Sequence, residues 1–138
     1  MSRRRKAREI VLQALYEREF SELPAAEIVE RLIASRDPSE ETAAHARALL
    51  AATVTHIDEI DGTIAAALEN WEMGRVALVD KNILRFSLAE LLYFADVPPA
   101  VVINEAIEIA RRFSTEDAGR FVNGLLDRFA RELRRDAV

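Results

Sequence analysis

The sequence has no cysteine and, among 138 residues, only four glycines and four prolines. Without cysteine there is no disulfide bond, no thiolate metal ligand and no cysteine nucleophile, which suits a reducing compartment. So little glycine and proline excludes collagen-like and low-complexity chains. A hydrophobic content of 50% excludes an intrinsically disordered acidic protein, because such chains lack the apolar surface that offsets the entropy of ordering.

Long hydrophobic runs are also absent. No segment approaches the roughly 18 uncharged apolar residues of a membrane span. Glu9 and Glu17 interrupt the apolar run that a secretory signal would need after the basic N-terminus. We therefore expect a cytoplasmic protein that is not associated with a membrane. A chain of this length buries about two thirds of its unfolded surface, so residues 1–138 are predicted to form one domain.

Acidic residues are missing from the first eight positions, which carry a charge of +5. The rest of the chain has 14 basic and 24 acidic residues, a net charge of −10. The five N-terminal cations are Arg3, Arg4, Arg5, Lys6 and Arg8. From Asp37 to Glu72 there are eight acids and one base, Arg47. This acidic segment either repels nucleic acid or is an ordinary solvated helix face.

Apolar residues recur at helical spacing along the whole chain, and no segment alternates convincingly with period two. An all-α fold of six or seven helices is predicted. Asp37–Pro38 and Pro98–Pro99 are expected to separate helices. Ser114, with Asp117 three residues later, resembles a capping box at the start of a final helix that runs to about Arg135.

Three features concern packing. Residues 76–95 are apolar in nearly every direction around a helical wheel, so this helix is either central or covered by a partner. The apolar stripe of the next helix ends at Phe113. Gly124 lies within a helical pattern, where glycine costs about 1 kcal/mol relative to alanine, and it is therefore predicted to mark a close helix crossing.

Residues for catalysis or metal binding are scarce. His45 and His56 lie on one helical face but about three turns apart, too far to share a metal, so they are interpreted as ordinary surface or boundary residues. Glu105 and Glu108 lack the following histidine of di-iron bundles, and there is no glycine-rich phosphate loop. No cofactor, no metal and no enzymatic activity are expected.

The first helix has a second, partly apolar face opposite a core stripe centred on Ile10 and Val11. Its members follow i, i+4, i+7, i+11 spacing and are Arg5, Glu9, Leu12 and Tyr16. Exposed leucine and tyrosine beside arginines suggest single-stranded RNA, whose phosphates bind guanidinium groups and whose bases stack on aromatic rings. The alternative is that this face packs beneath another helix. Phe121, which shares a flank with Asp117 and Arg128, is either a second RNA contact or a core residue.

Several segments resemble the NusB family of bacterial transcription antitermination factors, in the family's order and spacing. They are Ser2–Glu9 with Gln13–Tyr16, Asp80–Arg85 with Glu90–Leu91, Val97–Pro98, Ile103–Glu108 and Phe121–Asp127. The resemblance implies two packed helical subdomains and a non-enzymatic role in antitermination complexes with RNA polymerase on nascent ribosomal RNA. It also implies binding of boxA RNA together with NusE, a ribosomal protein.

The resemblance assigns roles to particular residues. RNA binding is expected at Arg3, Arg4, Arg5, Lys6, Arg8, Tyr16, Asp117 and Phe121. Contact with NusE is expected at Asp80 and also at Tyr16. The acidic body would then complement a basic ribosomal protein.

Two alternatives remain at this point. The helix at 76–95 could associate with a second copy, giving a self-associating interaction module or homodimer. NusB-like domains also precede the catalytic part of some ribosomal-RNA cytosine methyltransferases. This chain has neither a cysteine to attack cytosine nor a glycine loop for a methyl donor, so methyl transfer is not expected of it.

Overall fold

The computed structural model describes residues 3–68 and 73–134, which form seven α-helices, one short 3-10 helix and no strand. The α-helices are α1 (Arg3–Arg18), α2 (Ala25–Arg36), α3 (Glu40–Thr55), α4 (Ile57–Ala67), α5 (Leu78–Tyr93), α6 (Pro99–Phe113) and α7 (Glu116–Arg134), and the 3-10 helix Met73–Arg75 precedes α5. The predicted all-α fold is confirmed. None of these helices combines the length and the apolar character that crossing a bilayer requires.

The helices pack in two groups joined by α5. One group contains α1, α2 and α3, and the other contains α6 and α7, while α4 packs mainly on α5. Because α5 contacts both groups, the apolar side chains of all seven helices form one continuous core. This arrangement agrees with the predicted pair of helical subdomains.

The central helix α5 is buried along most of its length. All residues from Asn82 to Leu91 are buried, and the covering helices α1, α3, α4, α6 and α7 belong to the same chain. Of the two alternatives for this helix, the central position is therefore correct. Residues 82–91 of α5 therefore leave no free apolar face for a second copy.

Most helix ends fall where the sequence predicted them. Asp37 adopts a left-handed conformation (φ 45°) at the end of α2, and Pro99 opens α6. The predicted cap of the last helix is wrong by one residue. The Ala118 amide donates to Thr115 Oγ1 at 3.0 Å, whereas Ser114 ends α6 by donating its amide to the Ala110 carbonyl at 2.8 Å.

The prediction for Gly124 is half correct. It lies inside α7 as expected, but a Cβ atom at this exposed position would have open space around it. The close approach of α6 and α7 is at Gly119 instead, where a Cβ would lie 3.3 Å from Cγ of Arg111. Helical spacing placed both glycines in the helix but did not show which of them faces a neighbour.

Candidate nucleic-acid interface

The N-terminal cations of α1 point in different directions because successive helical residues are about 100° apart. Arg4 and Lys6 are exposed. The Arg4 guanidinium lies 4.0 Å from the Asp96 carboxylate, a distance at which an exposed pair contributes little to stability. The side chain of Arg3 lies outside the described part of the structure. Arg4 and Lys6 are thus available to solvent and to an anionic ligand.

Arg5 connects α1 to α6. Its Nε donates to Glu105 Oε2 at 2.5 Å and its Nη2 donates to Oε1 at 3.3 Å. The hydrogen bond with Glu105 is the main reason that the pKa of Arg5 is raised above its usual value. Since the side chain is still 30% exposed, Arg5 holds α1 against α6 and also contributes to the surface.

Arg8 is a core residue, which corrects its assignment to the RNA surface. It is 1% exposed, and its Nε and Nη2 donate to the two carboxylate oxygens of the fully buried Glu90 at 2.6 and 2.7 Å. A buried charge is tolerated only when it is paired and hydrogen-bonded. Glu90 supplies both the opposite charge and two hydrogen-bond acceptors. The sequence contained a signal for this pair, because Glu90 is an acid in a helix that is apolar in nearly every direction, and it therefore requires a cationic partner.

The second face of α1 is partly packed and partly exposed. Leu12 is only 6% exposed, so the expectation of an exposed leucine is wrong. Glu9 is also buried and accepts a hydrogen bond from Arg112 Nη1 at 3.2 Å. Tyr16 is 44% exposed, and its ring lies 5.3 Å from that of Phe20. Of this face, Tyr16 therefore remains the side chain that can stack on a base.

Asp80, Asp117 and Phe121 line one groove of about 370 Å³ between the start of α5 and the start of α7. Phe121 is half-buried and packs at the edge of the core. It is therefore neither a fully exposed RNA contact nor a fully enclosed core residue. Asp117 is exposed and bonds to Arg120. Asp80 Oδ1 is buried and has no hydrogen-bond partner among residues 3–68 and 73–134. The groove therefore presents an aromatic ring and two carboxylate side chains to a ligand.

Tyr16 belongs to a neighbouring hollow of about 230 Å³, whose walls include Leu12, Val79 and Phe113. Val79 lines this hollow and the next residue, Asp80, lines the groove with Phe121. Both depressions therefore open beside the first turn of α5. The structure brings together three of the predicted site residues and places Tyr16 in the adjacent depression.

The two histidines are half-buried, as expected for boundary residues. The His45 ring contacts Phe94 edge-to-face with a centroid distance of 5.9 Å, and burial lowers the pKa of His45. The His56 ring stacks on Tyr93 at 4.2 Å. Within residues 3–68 and 73–134, no three histidine or acidic side chains form a group that could hold a metal ion.

This geometry defines an all-helical binding protein with cations at its N-terminal helix and two depressions beside α5. The NusB family model matches residues 5–131. The transcription antitermination protein NusB of Geobacter sulfurreducens is 44% identical over 137 residues, which cover 96% of this chain and 97% of that protein. The NusB protein of Thermodesulfovibrio yellowstonii is 41% identical, with 94% and 93% covered. The chain belongs to the NusB family.

Solved structures agree with this assignment. NusB of T. maritima superposes with a TM-score of 0.87 at 38% identity, covering 94% of this chain and 91% of that one. A chain in the crystal structure of the antitermination factors NusB and NusE with double-stranded RNA superposes with a TM-score of 0.85 at 26% identity, covering 96% and 98%. The family and the fold expected from the resemblance are confirmed.

Proposed function

We propose that this protein is a cytoplasmic transcription antitermination factor that binds boxA-type single-stranded RNA together with NusE. It acts without catalysis, in a complex with RNA polymerase during ribosomal RNA transcription. The observation that carries the proposal is the exposure of Arg4, Lys6 and Tyr16 on one helix of a NusB-family fold. These side chains supply charge for phosphates and a ring for an unpaired base.

The proposed RNA contacts are Arg3, Arg4, Arg5, Lys6, Tyr16, Asp117 and Phe121, without Arg8. Arg5 contributes less than a free cation because Glu105 already neutralises part of its charge. Asp117 carries a negative charge, so its role is a hydrogen bond to a base edge rather than contact with a phosphate. The similarity to a protein crystallised with NusE and double-stranded RNA supports RNA binding and makes the strandedness of the RNA a point to test.

NusE is proposed to contact Asp80 and Tyr16. The Asp80 side chain lines the groove, where its carboxylate would pair with a lysine or arginine of a basic partner. The charge of −10 on the sequence after the first eight residues favours the approach of such a partner. Tyr16 would lie where the partner and the RNA meet.

A binding titration tests this function. Labelled boxA RNA is titrated with the protein, with and without NusE, and fluorescence anisotropy is measured at several salt concentrations. We expect tighter binding of boxA RNA than of a scrambled strand or a duplex of the same length, and a further gain when NusE is added. Equal affinity for all three RNAs in the presence of NusE would contradict the proposal. Asp80→Asn should reduce the increase in RNA affinity that NusE produces. It should leave the RNA affinity measured without NusE unchanged.

Removing either candidate stacking ring should weaken RNA binding. Tyr16→Ala and Phe121→Ala are each expected to cost about 1 to 3 kcal/mol of binding free energy, with little change in the salt dependence, because stacking releases no counterions. Tyr93→Ala is the matched control, since Tyr93 is a partly exposed ring that stacks on His56.

Phe121 also packs on the core, so its effect must be separated from folding. Urea denaturation measures the loss of stability in Phe121→Ala and in Phe121→Leu, which keeps more of the side-chain volume. If both variants are folded and bind boxA RNA like the wild type, Phe121 is a core residue only.

A further inference from the structure

The hollow beside Tyr16 continues into a second, polar depression. This depression has a volume of about 420 Å³ and lies between α1, the end of α2 and α6. Glu9 and Arg36 line both depressions, so the two form one trough. One end of the trough is mostly apolar and the other is mostly charged.

The apolar end has an aromatic ring from each of two helices. Tyr16 of α1 and Phe113 of α6 are both 44% exposed, although Leu12 between them and the core is buried. The Arg112 guanidinium carbon lies 5.3 Å from the centre of the Phe113 ring, a cation–π contact that helps to orient this ring. Core packing does not require two half-exposed rings here, whereas a planar base could stack on either of them.

The charged end brings together three cations that are distant in sequence: Lys6, Arg36 and Arg112. Two carboxylates line the same end, Glu9 and Asp37, so cations are in excess by one. Glu9 is 8% exposed and accepts a hydrogen bond from Arg112 at 3.2 Å, which reduces its repulsion of an anion. Arg36 donates to the neutral amide oxygen of Gln13 and therefore keeps its full charge.

We infer that the trough binds one unpaired nucleotide of the RNA. The base enters the hollow between Tyr16 and Phe113, and the adjoining phosphate lies against Lys6, Arg36 and Arg112. The inference rests on the proposed function, and it extends the RNA surface from α1 to Phe113 of α6 and to Arg36 at the end of α2. A neutral or basic peptide in the apolar hollow would leave the excess of cations without an anion, whereas a nucleotide supplies both a ring and a phosphate, so the structure favours the nucleotide.

The test uses boxA RNA oligonucleotides that carry 2-aminopurine at one position at a time, since the fluorescence of this base is quenched when it stacks. With the wild-type protein, one position should be quenched on binding. Phe113→Ala should remove that quenching and weaken binding about 5-fold or more, with an unchanged salt slope. Arg36→Gln should keep the quenching and lower the log–log salt slope by about 0.7.

The matched controls change residues that do not line the trough. Tyr93→Ala removes a partly exposed ring, and Arg47→Gln removes an exposed cation that bonds to Glu30. Neither should change quenching or the salt slope. If Phe113→Ala does not fold by circular dichroism, Phe113→Leu retains the packing volume and lacks the ring.

The outcomes separate this inference from the proposed function. If the wild type binds boxA RNA and the Phe113 and Arg36 variants bind it as the controls do, the nucleotide site is wrong and the proposed function stands. If these variants lose affinity for NusE alone and keep affinity for RNA, the trough is a protein-binding site and the inference is overturned. If the wild type binds no RNA, both are wrong.

Discussion

Glu90→Gln is expected to lower the free energy of unfolding by about 3 to 5 kcal/mol, because it removes the anion that compensates a buried guanidinium. Arg8 and Glu90 are 1% and 0% exposed, and their two hydrogen bonds of 2.6 and 2.7 Å join α1 to α5. In the variant Arg8 would remain charged in the core without a counterion. For a domain of this size the melting temperature should fall by about 10 °C or more. Urea denaturation and thermal scans followed by circular dichroism measure the loss.

A double variant is the control for this prediction. Arg8→Met with Glu90→Leu removes both charges and keeps apolar volume, so it should be much more stable than Glu90→Gln and close to the wild type. A loss below about 1 kcal/mol in Glu90→Gln would show that the pair is not the main compensation for the buried charge. The double variant also tests function. A phosphate contact at Arg8 predicts a salt slope lower by about 0.7, whereas the buried position predicts no change.

Replacing the four other N-terminal cations together should nearly abolish RNA binding at moderate salt. In the variant Arg3→Ala, Arg4→Ala, Arg5→Ala, Lys6→Ala the log–log salt slope is expected to fall by between about 2 and 3, because each lost phosphate contact on a single strand is worth about 0.7. The smaller decrease in slope applies if Arg5 pairs mainly with Glu105 and does not contact a phosphate. At about 0.1 M salt this corresponds to a loss of affinity on the order of 100-fold. Anisotropy titrations over a range of salt concentrations measure both quantities.

The matched control removes cations that lie elsewhere. Arg47→Gln with Arg131→Gln changes two exposed arginines that pair with Glu30 and Asp127 on α2 and α7. If this control loses as much salt dependence per charge as the N-terminal variant, the effect comes from net charge and not from a local RNA contact. Arg8 is left unchanged in both variants, so that neither breaks its buried pair with Glu90.

Helix positions were predictable because their causes are local. The 3.6-residue period, Asp37–Pro38 and the prolines at 98 and 99 act within a few residues, and the observed helices begin and end near them. The resemblance to the NusB family was also readable from short segments spread over most of the chain. The displaced cap at Thr115 shows the limit, since Ser114 and Thr115 are both suitable capping residues and the geometry of the α6–α7 connection selects one of them.

The candidate site was predictable in part. Exposure of Tyr16 followed from its position opposite the core stripe of α1, whereas burial of Leu12 on the same face did not. Phe113 was predicted to end the apolar stripe of α6, but its ring is half-exposed. Arg36 had no local feature that marks it, because its importance comes from proximity to Lys6 and Arg112, which lie on other helices.

The charge imbalance of the sequence established a basic first helix on an acidic body, and periodicity established which residues share a helical face. Whether a face meets solvent or another helix depends on contacts between residues far apart in sequence. Arg8 is therefore bonded to Glu90 in the core while Lys6, two positions earlier, is exposed. Packing of α6 and of the end of α2 beside α1 divided the N-terminal cations into one that supports the core and others that can meet RNA, because burial of a charge requires a partner that only the folded chain supplies.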